Sequence, residues 1–321
     1  MKVIVFGGNG FVGQWLVREL KRQNYEVLNI DQGEKSFDTE IAYCQVDIRD
    51  KNQLEKVPFA PDDIVVNLVA NQYHLKVPRK NREAFFRDTN TVGAENILIT
   101  AMAKDCMRVV QFTTDMTYGK PQYLPLDTSH PQNPFGPYGR SKKEVEDICR
   151  DYREKGMKIT IFRPRMINGP GRLGILKKLF WLIQRNLPVP TIGAGKNCYQ
   201  MVSVFDCVSA IICAIKKDIP NEEFNLGSKN PPSTRQLLQG LVKRVGSHSP
   251  VIPTPGKLVK LTLGVLASIG PEIMYKEQYM IADEDYILDI TKTERELSWE
   301  PQYNDQDMIV EAYEEYKKSL T

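Results

Sequence analysis

Tyr138 and Lys142 stand four residues apart in Tyr138-Gly-Arg-Ser-Lys142, a spacing that puts two side chains on one face of a helix. A phenol beside an ammonium can exchange a proton with a substrate hydroxyl, because the cation stabilises the phenolate and draws its pKa down from about 10. Both are also ordinary helix-surface residues, so the pair gains meaning from its surroundings. The N-terminus supplies them. Met1-Lys-Val-Ile-Val-Phe-Gly7-Gly-Asn-Gly10-Phe11-Val12-Gly13 leads a short apolar run into glycines spaced by three and then into a helical pattern. In a strand–turn–helix of this kind Gly7 permits the tight turn, Gly10 lets the backbone approach a pyrophosphate, and Gly13 lets helix pack on strand. The phosphate then sits at the helix N-terminus, where Phe11 and Val12 open the first turn.

Asp31 closes the second apolar run, Tyr25-Glu-Val-Leu-Asn-Ile, eighteen residues beyond Gly13. A carboxylate there hydrogen-bonds the adenosine ribose and repels a 2′-phosphate, which favours NAD over NADP. Asp47 and Ile48, in Val46-Asp47-Ile48-Arg-Asp50, end a third run where an adenine edge would lie; Asp47 serves equally well as a helix cap.

The elements that must position these residues follow from periodicity. Runs rich in β-branched residues predict strands near 2–6, 26–30, 41–46, 63–69, 107–113 and 158–163, alternating with helices near 11–22, 82–104, 139–155 and 206–217. That alternation predicts an α/β fold, a Rossmann-like doubly wound parallel sheet. Beyond Arg163-Pro164 the pattern turns irregular and proline-rich, as in Leu187-Pro-Val-Pro190. We read residues 1–165, with 206–226 returning to them, as the NAD-binding domain, and 166–205 with 227–321 as a smaller, interleaved C-terminal substrate lobe.

At 321 residues the chain can bury a large core. Its net charge of +3, without a dense basic stripe, argues against nucleic acid as a partner. Six cysteines without Cys-x-x-Cys pairs, and only three histidines, argue against a metal site. Cysteines within apolar runs such as Ala210-Ile-Ile-Cys213-Ala read as reduced thiols of a cytoplasmic protein. The apolar N-terminal run is broken by glycine after six residues, so it reads as a strand and not as a signal peptide.

Together these features resemble the extended short-chain dehydrogenase/reductase superfamily, in its NAD-dependent epimerase/dehydratase branch. The resemblance spans nearly the whole chain. Besides the glycines, Asp31 and Asp47, it rests on Val65-Val-Asn-Leu68-Val-Ala70, Asn90-Thr-Val-Gly-Ala-Glu-Asn96, Thr113-Thr-Asp-Met-Thr-Tyr-Gly119, Tyr138-x-x-x-Lys142, Arg163-Pro164 with Gly169-Pro-Gly171, and Leu297-Ser-Trp-Glu-Pro301. It implies NAD contacts at Leu68, Ala70, Asn90 and Arg163, and often a homodimer formed through the helices near 82–104 and 139–155. It also implies that Thr114 orients the reacting hydroxyl, that Tyr138 is the acid/base, and that Lys142 holds the nicotinamide ribose while lowering the Tyr138 pKa.

Three departures bear on the substrate. Sugar dehydratases resembling this loop follow Thr-Asp with Glu or Lys, whereas here Asp115 is followed by Met116, whose thioether cannot accept a proton. Asp115 can bond a substrate hydroxyl or cap the loop, and Met116 can line the sugar pocket or simply pack. Many nucleotide-sugar epimerases carry Asn and Arg where this chain has Met166 and Tyr199. Losing that guanidinium removes a bidentate grip on diphosphate, a loss for which Lys196, Arg165, Arg172 or the Lys177-Lys178 pair could substitute. Branches acting on hydrophobic substrates, such as polyprenyl-diphosphate-linked sugars or hydroxysteroids, resemble this pattern at those positions. The stretches Leu173 to Arg185 and Leu258 to Ile269 are apolar and basic but too short to span a bilayer; they read as lobe helices or as a peripheral membrane contact.

The chain therefore reads as an NAD-dependent 4-epimerase of a diphosphate-activated sugar. The alternatives are a dehydratase using Asp115, a hydroxyl dehydrogenase or reductase, and a cofactor-sensing module without turnover.

Overall fold

The computed structural model describes residues 1–172, 176–269 and 274–320. Leu173, Gly174 and Ile175 of the first amphipathic stretch lie outside the described residues. The strands are β1 (Lys2–Phe6), β2 (Glu26–Asp31), β3 (Ala42–Gln45), β4 (Ile64–Asn67), β5 (Arg108–Phe112), β6 (Lys158–Pro164), β7 (Met166–Asn168), β8 (Val189–Ile192), β9 (Met201–Ser203), β10 (Glu223–Leu226) and β11 (Val251–Thr254). Seven of them form one sheet in the order β10-β6-β5-β4-β1-β2-β3, with every neighbouring pair parallel. The chain thus winds outward from β1 to β3 and then reverses to β4, and in such sheets ligands bind at the carboxyl ends of the strands beside that reversal.

Both faces of the sheet are covered, which is why its strands read as continuous apolar runs. Val3 and Val5 face a core shared with α1 (Phe11–Arg22) and α7 (Val204–Lys216). Ile4 and Phe6 face a second core, shared with α4 (Gly93–Ala103) and α5 (Pro137–Glu154). The period-2 alternation of a strand divides one short run between two layers. The other sheet-layer helices are α2 (Lys51–Leu54) and α3 (Arg82–Arg87).

The helix expected over 82–104 departs from regular form. A π-helical turn, Asp88–Val92, joins α3 to α4. The extra residue turns Asn90 and Thr91 inward, where Asn90 donates to Ser141 Oγ at 3.0 Å and Thr91 Oγ1 to Ser141 O at 3.1 Å. The bulge therefore clamps this helix to the early turns of α5, a common use of π-turns near functional sites.

Residues 206–226 run through α7 into β10, which lies on the sheet edge beside β6. The segments on either side build a separate cluster from α6 (Leu176–Gln184), α8 (Thr234–Arg244) and α12 (Asp305–Lys318), around Phe180, Leu241, Met308 and Tyr316. Between α8 and α12 lie α9 (Gly256–Ile269), α10 (Lys276–Tyr279) and α11 (Thr291–Leu297). Two short parallel ribbons, β7 with β9 and β8 with β11, complete this part. No helix among the described residues is long and apolar enough to cross a membrane, and the six cysteines are free thiols.

Candidate active site

At the carboxyl end of β1, Gly7 has φ +79° and closes the turn. Gly13 lies so near it that a Cβ there would stand 2.2 Å from Gly7 O, so α1 can reach the strand only with glycine at that position. The N-terminus of α1 has no acidic residue in its first turn and no side-chain cap, leaving its amides and positive dipole end for an anion. Asp31, at the end of β2, accepts from Asn9 N at 3.2 Å and Gly33 N at 3.2 Å, which fixes its carboxylate beside the glycine turn. Leu68 and Ala70 continue β4 past the same turn, with Leu68 N donating to Phe6 O at 3.0 Å. Phe11 is half-buried at the start of α1, Val12 packs onto the core, and Ile48 is buried against Gly93. This cradle has the shape and donor set of a dinucleotide site, and NAD fits it.

Asp47 does not cap the following helix. It is paired with Arg49 at 2.5 Å, which holds its carboxyl below the usual range, while Asp50 caps α2 by accepting from Asn52 N.

The catalytic candidates gather where β5 meets α5. Thr114 begins the 3-10 turn Asp115–Thr117, and its Oγ1 donates to Asp115 Oδ1 at 3.2 Å. Tyr138, in the first turn of α5, is 5% exposed and lies in hydrogen-bonding reach of the Thr114 side chain. Burial holds its phenol well above the ordinary range; the Arg172 guanidinium and Thr114 pull it down, while Asp115 and Glu277 push it up. Lys142 does not play the part expected of it toward the phenol. Its buried Nζ donates to Phe112 O at 2.9 Å, and burial lowers its pKa to about 8. The cation that faces Tyr138 is Arg172, which also lies 5.6 Å over the Phe11 ring and bonds His74 Nδ1 at 2.9 Å and Gln72.

Asp115 is held from the far side. Arg165 Nη1 meets Asp115 Oδ2 at 2.5 Å, with both side chains almost wholly buried. The guanidinium is sandwiched between the Tyr199 ring at 4.0 Å and the Tyr286 ring at 4.2 Å. Arg165 is therefore not free to meet a diphosphate; it is the buried counter-ion of Asp115, whose carboxyl is pushed above its ordinary range by burial while Arg165 and Thr114 pull it back. Met116 is half-buried beside Thr114, Met166 packs against the C-terminal core cluster, and Lys196 is exposed on the turn between β8 and β9.

The sequence profile of the NAD-dependent epimerase/dehydratase family matches residues 3–227. The chain belongs to that family. It is 29% identical to N-acetyl-alpha-D-glucosaminyl-diphospho-ditrans,octacis-undecaprenol 4-epimerase of Escherichia coli O157:H7 over 279 residues, covering 85% of this chain and 80% of that protein. It is 26% identical to UDP-glucose 4-epimerase of Lactobacillus helveticus over 347 residues, covering 99% and 98%. Among solved structures, UDP-glucose 4-epimerase of Thermotoga maritima with UDP-glucose superposes with a TM-score of 0.79 at 23% identity, covering 100% of both chains. That last likeness concerns the fold.

Two residues expected to touch the cofactor in this epimerase/dehydratase family member are committed elsewhere. Arg163 is 1% exposed and spends its donors internally: on Glu146 at 2.6–3.1 Å, on Tyr118 Oη at 2.9 Å and on Thr128 O at 2.9 Å. Asn90, also 1% exposed, donates to Asn71 O and Ser141 Oγ and accepts from Asn71 N at 2.7 Å. It supports the loop after β4 from behind. Glu146 was missed, although Tyr138, Lys142 and Glu146 recur every fourth residue on one face of α5. It accepts from Thr113 Oγ1 at 2.7 Å and Gln132 Nε2 at 2.7 Å, so it anchors the end of β5 next to Thr114. Tyr73 and Glu277, which also close around Tyr138, left no local signal in the sequence.

Proposed function

We propose that the protein is a 4-epimerase of a sugar carried on a diphosphate. The domain that holds NAD comprises residues 1–165 with 206–226, and the lobe that holds the sugar comprises 166–205 with 227–321. One observation carries the choice among family reactions: Thr114 and Tyr138 converge on one point, while Asp115 is engaged by Arg165 and followed by Met116. Arg165 already engages the Asp115 carboxyl, and a thioether is no base. Elimination of water therefore lacks its base and finds its acid already engaged by Arg165, whereas reversible loss and return of a hydroxyl proton needs only the phenol.

In this reading Thr114 orients the sugar 4-hydroxyl and Tyr138 takes its proton, later returning it. Arg172, facing the phenol, stabilises its anionic form. NAD, when bound, supplies the hydride acceptor at the sugar carbon and a positive ring beside Tyr138. Lys142 holds the nicotinamide ribose, and Asp31 the adenosine ribose. Met116, Met166, Tyr199 and Lys196 are assigned to the sugar side. Support for the substrate class comes from the two 4-epimerases named above, one acting on a nucleotide sugar and one on an undecaprenol-linked sugar.

The carrier is the finer question. A peripheral membrane contact, suited to a lipid carrier, draws support from α9. Its Leu258, Leu261 and Val265 are 59%, 65% and 50% exposed, and its only charged residues are Lys257 and Lys260. A cytoplasmic homodimer through α3–α4 and α5 completes the proposal, and sedimentation would measure it.

Incubation with NAD and a panel of UDP-, dTDP-, GDP- and CDP-sugars plus one polyprenyl-diphospho-sugar, read by proton NMR and absorbance, tests the reading. Inversion at one ring carbon with no net NADH is expected. Loss of water with a new ultraviolet chromophore would replace the epimerase by a dehydratase.

A further inference from the structure

Helix α5 begins without a cap of its own. Its N-cap is Gly136, no side chain of that residue bonds the first turn, Pro137 opens the helix, and the turn holds no acid. The amides of Tyr138 and Gly139 therefore find no acceptor within the helix, and the positive end of the helix dipole is uncompensated from within. The carboxylate that stands there comes from α10. Glu277 is 3% exposed, and a Cβ on Gly136 would lie 1.8 Å from its Oε1 and 2.5 Å from its Cδ, so glycine is what lets this carboxylate reach the helix end. Its Oε1 accepts from Tyr73 Oη, and its Oε2 has no hydrogen-bond partner with standard geometry although it is buried. Burial pushes the Glu277 carboxyl above its ordinary range, and Tyr73 and the Gly139 and Tyr138 amides, as donors to it, pull it back down.

Tyr73 extends the arrangement. Its ring meets Tyr138 at 5.7 Å, Phe86 at 5.2 Å and Tyr275 at 4.2 Å. One buried carboxylate thus joins the loop after β4, the start of the helix bearing Tyr138 and Lys142, and the C-terminal lobe.

We infer that Glu277 is a positioning residue that caps α5 from the substrate lobe, fixes Tyr138 over the reacting hydroxyl and sets the electrostatic environment in which its phenol ionises. The inference rests on Tyr138 being the acid–base group proposed above. The groups facing Glu277 are Tyr73, the two amides and Arg140; those facing Tyr138 are Arg172, Thr114, Asp115, Tyr73 and Glu277. Of the two carboxylates, only Asp115 has a buried guanidinium on it. The Glu277 charge therefore opposes formation of the phenolate, and removing it should move the acidic limb of turnover to lower pH.

The test compares Glu277→Gln and Glu277→Ala in the full chain by two measurements: hydrogen exchange at the Tyr138 and Gly139 amides, and the pH profile of turnover with NAD. The alanine variant should exchange those amides about tenfold faster, the scale of a lost cap, and turn over at least about tenfold more slowly. Glutamine keeps an acceptor oxygen without the charge. It should restore most of the protection and the turnover, with an acidic limb roughly one pH unit lower. Unchanged amide protection in the alanine variant overturns the capping role, and a parental limb in the glutamine variant overturns the electrostatic one. If the alanine variant does not fold, the glutamine profile decides alone. A parent chain that turns over no sugar refutes the functional reading instead, while the exchange comparison still decides the cap.

Discussion

The two ends of the cleft are built differently. The cofactor end comes from one continuous strand–turn–helix–strand unit, in which Gly7, Gly13 and Asp31 lie within 25 residues and are positioned by their own backbone. The catalytic end draws on segments scattered along the chain: Tyr73 after β4, Thr114 after β5, Tyr138 on α5, Arg172 beyond β7 and Glu277 on α10. Local geometry fixes the first end, so its residue types are constrained by short-range sterics. Tertiary packing fixes the second, so its residues are constrained by charge balance and burial across the fold. The contrast implies that substitutions at the catalytic end should separate turnover from cofactor binding, and that substitutions at the cofactor end should separate NAD from NADP.

The largest separation is expected at Tyr138. Tyr138→Phe removes only the phenol oxygen and keeps a ring packed against Tyr73 and Phe86. Turnover should fall by about 10²–10⁴-fold, the range for a lost acid–base group, while NAD affinity measured by fluorescence titration stays within a factor of two or so of the parent. Near-normal turnover would remove Tyr138 from the chemistry and dissolve the contrast.

Next in size is the buried support beneath that end. Glu146 is the sole carboxylate on the Arg163 guanidinium among the described ion pairs, with side chains 0% and 1% exposed. Glu146→Ala leaves an uncompensated buried cation and should cost about 3–5 kcal/mol of stability, seen as a lower urea midpoint with an unchanged slope. A surface pair such as Arg22–Glu19 should change the midpoint little when broken. Equal effects at both sites would show that Arg163 and Glu146 do not form the internal strut described here.

These cases also show what the sequence could reveal. Strand β1, the glycine turn and Asp31 were legible because each is a short-range rule: a buried run, a required close approach, a carboxylate at a fixed offset. The helix span 82–104 was legible as helix but not as two helices with a π-turn, because the cause of the bulge is Ser141 on another helix. Arg163 and Asn90 were visible as members of motifs, yet their partners Glu146, Tyr118 and Ser141 are tertiary. A motif thus located each residue without revealing which side of the cleft its donors face. Lys142 illustrates the same limit. Helical spacing put it beside Tyr138, but its Nζ turns to the end of β5, and Arg172 takes the place facing the phenol.

At the cofactor end, Asp31→Ala should weaken NAD and leave NADP little changed, moving the affinity ratio by about tenfold, the scale of one hydrogen bond to a charged group. Parallel titrations with the two dinucleotides measure it. An unchanged ratio would mean that Asp31, although fixed by Asn9 and Gly33, does not reach the ribose.

The smallest effect, a pH dependence of NAD affinity, joins the two ends through Lys142. Burial lowers the Lys142 pKa to about 8, so the ammonium is charged below that pH and loses its proton as pH rises through it. If Lys142 donates to the nicotinamide ribose as a cation, NAD binding favours the charged form and takes up a proton at pH above about 8. Affinity should then be flat below that pH and weaken by roughly threefold to tenfold above it, since a hydrogen bond from a charged donor exceeds one from a neutral amine by about 1 kcal/mol. Lys142→Met should lower the affinity and flatten the curve. A parental curve that is already flat would place the Nζ permanently on Phe112 O, a strut for the end of β5, and leave the glycine turn and Asp31 to bind NAD without it.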